Sequence, residues 1–191
     1  MSIGTPSHAR HRTRADNCTS NRRGRGRRRA LAWILACWIT GITAASALRP
    51  GPVVHTAAVG AHLAYLALGF GLVLVVDLYA LGVLVWRFPV SRMAAVAENA
   101  SPLIFGAWAG LVASGALLHP HLDSALTQTK LAAVLAIAVN GLYVEQLRRN
   151  LGQSQAARPP APLCRRALIA GVVSQAAWLT AILIGWHNST I

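Results

Sequence analysis

Histidine is the residue type in this chain best suited to chemistry. There are seven in 191 residues, and neutral imidazole ligates copper, zinc and haem iron. His55 and His62 share a helical face about two turns, or roughly 10 Å, apart. That spacing is too wide for one metal ion without a third group, but each can meet a histidine from another element. His119 and His121 are such partners, with Asp123 a carboxylate beside them. Two ligand sets are open: copper or zinc held by His62, His119 and His121, or a b-type haem held by one histidine from each of two facing helices. The plainer alternative is that these imidazoles sit among head groups and water at a membrane surface.

Composition sets the elements that must hold these residues. Hydrophobic residues make up 54% of the chain and charged ones 12%, against about 25% charged in a soluble domain. Lipid is therefore the expected solvent. A net charge of +13 would ordinarily suggest nucleic acid, yet nine of the eighteen basic residues fall in the first 29 positions. The charge belongs mainly to a tail, and no specific nucleic-acid partner is expected. Residues 1–29 have almost nothing apolar to bury and read as a disordered, cytoplasmic basic tail. The richness in Ala, Gly and Arg with a single Lys matches a high-GC bacterial coding bias, and so a bacterial inner membrane. Cys18, Cys37 and Cys164 show neither zinc-site pairing nor an even disulfide count.

The rest of the chain reads as an all-α, polytopic transmembrane helical bundle of about five spans over 30–187, near 30–48, 63–86, 100–118, 125–147 and 167–186. Arg49-Pro50-Gly51-Pro52 breaks the first run from the second. The residues from Val54 to His62 stand at or above the outer interface. A short loop covers 87–98, Asp123-Ser124 can cap the fourth span, and the proline-rich loop 148–166 should be unfolded and cytoplasmic. Ala45-Ser46-Ala47 after an arginine cluster also resembles a signal-peptide cleavage site. An uncleaved anchor is the preferred reading, and cleavage would leave four spans.

Positive loop residues stay in the cytoplasm. With the tail inside, the inner segments hold sixteen basic residues and the outer ones only Arg49, Lys130 lying within a span. The chain thus threads with its N-terminus cytoplasmic and its C-terminus extracytoplasmic, and five histidines, His187 included, fall on the outer side. Trp33, Trp86 and Trp186 lie near the expected interfaces.

Three of the polar residues inside the spans stand out. Asp77 is an intramembrane acid, which by default marks a functional site because its burial costs several kcal/mol. Asn140 stands at comparable depth, so an Asp77–Asn140 hydrogen bond across the bundle and a proton-relay role are both open. Lys130 should snorkel outward rather than pair with the deeper Asp77. Gly106, Gly110 and Ser114 recur every four residues, the small-residue pattern that lets helices approach closely within a chain or in a dimer. Ser174 and Gln175 read as packing hydrogen bonds.

No P-loop, H-E-x-x-H or nucleophile elbow is present, and an enzyme is not expected. The stretch from His62 to Arg149, with Ser114-Gly115, Lys130 and Asn140-Gly141, resembles the four-helix membrane proteins related to the copper-resistance protein D family. The resemblance covers under half the chain. It implies His62 as a candidate ligand and Lys130 as a position near the outer boundary. Where a Trp-Leu-Gly signature belongs to that family's first helix, this chain reads His62-Leu63-Ala64-Tyr65-Leu66-Ala67-Leu68-Gly69. Three functions compete: a non-enzymatic membrane accessory or subunit that packs against a membrane partner or another copy, a haem- or copper-binding protein using the outer histidines, and a small proton-coupled carrier using Asp77.

Overall fold

The computed structural model describes residues 7–85, 88–153 and 161–190, with side chains except at 7–23, 84, 90, 150–153, 189 and 190. The described residues form five helices and no strand: α1 (Ser7–Ala47), α2 (Pro52–Val85), α3 (Val90–Ala116), α4 (Ala125–Gln153) and α5 (Ala161–Thr190). Four stretches are long and apolar enough to cross a membrane: Gly24–Ala47, Pro52–Val83, Ala125–Arg149 and Ala161–Asn188. In lipid a spanning helix satisfies every backbone donor and acceptor within itself. This is an all-helical, multi-pass membrane fold.

The remaining helix, α3, is 27 residues long, about 40 Å at 1.5 Å per residue. Its first half carries Arg92, Glu98, Asn99 and Pro102, which lower its hydropathy. It is nonetheless the inner helix, packed against α1, α2 and α4, with Ala107 1% and Trp108 3% exposed. Arg92, Glu98, Asn99 and Pro102 are exposed in the first half, whereas the core contacts fall further along the helix, so the lower hydropathy belongs to one end of it.

Side-chain contacts fix the directions. His62 meets Ser114, and Gly110 and Ala107 of α3 lie against Tyr65 and Gly69 of α2, so rising numbers on α2 match falling ones on α3. The two run antiparallel, and α3 traverses whatever layer α2 spans there. Phe70 lies beside Trp178 and Asp77 beside Gln175, which makes α5 antiparallel to α2. The core joins one or two residues from each helix: Ile34, Val73, Trp108, Leu111, Ile137, Ala138 and Trp178. Lipid tails are as apolar as these side chains, so close packing and interhelical hydrogen bonds hold the bundle rather than water exclusion.

The helices overrun the expected spans. α2 is continuous from Pro52, whose fixed φ and missing donor suit a first turn. Instead of a loop over 87–98, α3 begins at Val90 after Pro89 in extended conformation. α4 continues to Gln153 and α5 begins at Ala161, cutting into the loop expected over 148–166; residues 154–160 lie outside the described residues. α1 likewise runs back to Ser7 through the segment expected to be disordered, residues 1–6 lying outside the described ones. Hydropathy marks only the lipid-matched part of a helix. Once that part exists, extension needs no new nucleus, and arginine is a good helix former.

Candidate functional site

At mid-bundle, α5 receives polar side chains from two helices. Gln175 Nε2 donates to Asp77 Oδ2 at 2.6 Å, and Asn140 Nδ2 donates to the Ala170 carbonyl at 2.9 Å. The expected Asp77–Asn140 bond is therefore not made. The two residues share a depth, but each bonds to α5 instead: a helical carbonyl keeps a second lone pair for Asn140, and Gln175 reaches the acid first. Gly171 flanks the carboxyl, and a Cβ there would make only ordinary contact, 3.9 Å from Asp77 Oδ1.

At the histidine-bearing end, His62 Nδ1 and Ser114 Oγ are 2.9 Å apart, and Ser114 Oγ is 2.6 Å from the Gly110 carbonyl. A carbonyl only accepts, so the single hydroxyl proton goes to Gly110 and the serine oxygen accepts from His62 Nδ1–H. That leaves the lone pair of His62 on Nε2. Ser114 is 5% exposed, and Gly115 lies under the ring, 3.4 Å from Cε1 to a Cβ placed there.

Two of the three residues of the small-residue stripe face α2. Gly110 faces α2, where a Cβ would meet the Tyr65 ring at 2.6 Å, and Ser114 faces His62. Gly106 meets nothing within 4 Å, and Ala107 takes the contact with Gly69. The seam runs 114, 110, 107, because a strict four-residue repeat drifts off the face of a 3.6-residue helix.

His55 and His119 come together, with ring centroids 6.4 Å apart and planes 19° from parallel. His119 adopts a φ of 49°, a left-handed conformation that histidine tolerates better than most residues. It stands before Pro120, which disfavours a continued right-handed turn. Its Nε2 is buried without a hydrogen-bond partner. His121 is exposed. Among the described residues no three His, Cys, Asp or Glu side chains stand close enough to hold a metal ion, so His62, His119 and His121 do not form the ligand set the sequence suggested.

Lys130 lies part-buried in α4, with its Nζ 3.4 Å from where a Cβ at Gly185 would be. Trp33 and Trp186 are each 72% exposed, as interfacial rings are; Trp86 lies outside the described residues.

Two contacts escaped the sequence reading. Trp108 Nε1 donates to the Val134 carbonyl at 2.9 Å, tying α3 to α4. An ion cluster joins the other ends of the same helices: Arg148 bonds both oxygens of Glu145 and reaches Glu98 at 3.4 Å, and Arg149 bonds Glu145 at 2.7 Å. The helical spacing of Glu145 with Arg148 and Arg149 was a legible signal for part of it; Trp108 offered none. No protein-family model matches the chain, and comparison with curated proteins and with solved structures returns no similar protein.

Proposed function

We propose that the protein is a non-enzymatic component of a bacterial inner membrane, an accessory or subunit whose helical bundle is its working part. It threads with its N-terminus in the cytoplasm and its C-terminus outside, as the arginine distribution directs. One observation carries this reading: Asp77 and Asn140 within the spans, and His62 at their outer boundary, are each bonded to a neighbouring helix. Such bonds are spent on assembling the bundle, at about 0.6 to 2 kcal/mol each. The carrier reading needs Asp77 to exchange its partner during a cycle. Reconstituted protein separates the two: no pH-dependent flux is expected from the parent, and a flux abolished by Asp77→Asn would overturn the structural assignment.

A second reading has its own observation, the unpartnered Nε2 of His119 near the His55 ring. Two imidazoles fit a low-coordinate copper ion better than zinc, whose sites take three or four protein ligands. This agrees with the copper-resistance resemblance, though it uses His55 and His119 rather than His62. Haem would instead use the Nε2 of His62, already oriented by Ser114 as ligating histidines are. Absorption spectroscopy and metal analysis of purified protein decide: a Soret band lost in His62→Ala supports haem, and bound copper lost in His119→Ala supports the histidine pair. A colourless, metal-free preparation that takes up neither ends both.

A further inference from the structure

Lys130 stands in the second turn of α4. Asn140 beside Ala170 sets α4 against α5, which puts the Lys130 backbone level with about residue 180. Its ammonium nevertheless rests over Gly185, so the side chain climbs about five residues, roughly 7 Å, toward the end of the bundle. The pairing of Phe70 with Trp178 places Gly185 close to the level of His62. Four helices thus bring His62, Ser114, Lys130 and Gly185 to one level.

Among the described residues no acid forms an ion pair with this ammonium. It has five acids. Glu98 and Glu145 are bonded to Arg148 and Arg149 at the opposite end of the bundle. Asp77 is held by Gln175, about 15 Å further in along α5. Asp16 belongs to the basic segment before the first span. Asp123 is exposed and makes no ion pair among the described residues. A part-buried ammonium at a lipid boundary is costly without a partner, and the anion abundant at that depth is the phosphate of a phospholipid.

We propose that Lys130, seated over Gly185 at the level of His62, binds the phosphate of an anionic phospholipid at the histidine-bearing end of the bundle. The assignment is independent of the subunit and metal readings. It is tested on the full chain purified in detergent and titrated with phosphatidylglycerol, counting retained lipids by native mass spectrometry. The arginines near the other face bind equally in all variants, so the readout is a difference. Lys130→Met should retain one lipid fewer per chain than the parent, and Lys130→Arg should restore it, with unchanged helicity and elution volume showing that both fold. A large excess of inorganic phosphate should leave that lipid in place. Equal retention in Lys130→Met and parent overturns the proposal. So does stabilisation of the parent, but not of Lys130→Met, by inorganic phosphate with no lipid retained, which would assign the lysine to a free anion.

Discussion

Asp77 and Gln175 are joined by one hydrogen bond across two helices, and its loss has a defined asymmetry. Gln175→Leu leaves the acid without its donor and should lower unfolding free energy in detergent by about 1 kcal/mol. Asp77→Asn keeps an acceptor oxygen in place and should change it by less than about 0.5 kcal/mol. Equal losses in both variants would mean that the carboxyl contributes something an amide cannot. The glycines of α3 offer a matched pair of the same kind. Gly110 lies against the Tyr65 ring while Gly106 faces open space. Gly110→Leu should therefore cost about 1–3 kcal/mol through overpacking, and Gly106→Ala should be neutral or slightly stabilising through helix propensity. A thermal melt of both variants reads the difference. At this scale the sequence set Asp77 and Asn140 at one depth but not their partners, because which neighbour each reaches depends on how α5 is rotated between them.

At the scale of elements, α1 packs into the bundle along its apolar half. Ile34 and Ala45 are each 6% exposed, and Gly41 sits against Val112 of α3 with no space for a Cβ. Amino-terminal sequencing of the membrane-extracted protein should accordingly find no new terminus after Ala47. Gly41→Val should loosen α1 from α3, read as faster proteolysis between α1 and α2. The α3–α4 ion cluster is graded. Glu145, 18% exposed, holds both arginines, whereas Glu98 is 70% exposed. Exposed pairs contribute about 0–1 kcal/mol and weaken with salt. Glu98→Gln should thus be silent in a detergent melt, and Glu145→Gln should destabilise measurably at low salt and less at high salt.

For the whole molecule, alternating crossings require each helix to reverse its predecessor. The contacts of α2 with α3 and α5 meet that requirement. Reporter fusions after Arg49, Asp123 and Ile191 should read as external and a fusion after Arg92 as cytoplasmic. A cytoplasmic signal at Ile191 would remove either one crossing or the assigned orientation. The weak hydropathy of α3 makes it the helix on which that experiment turns. Glu98, Asn99 and Pro102 are exposed in its first half, and Ala107, Trp108 and Leu111 further along pack into the core, so the helix can lie among four apolar ones without burying those three residues.

The sequence by itself determined the solvent, the helical class and the approximate positions of the helices, because apolar length against bilayer thickness and the placement of arginine are properties of composition along the chain. It also marked His55, His62, His119, Asp77 and Lys130 as the residues to watch. Only the tertiary structure decided that His119 approaches His55, that His62 is locked by Ser114, and that Lys130 rests over Gly185. The reason is geometric: in lipid the hydrophobic pattern is nearly uniform around each helix, so it does not say which face turns inward, and that rotation is set by glycine notches and single hydrogen bonds between helices distant in sequence.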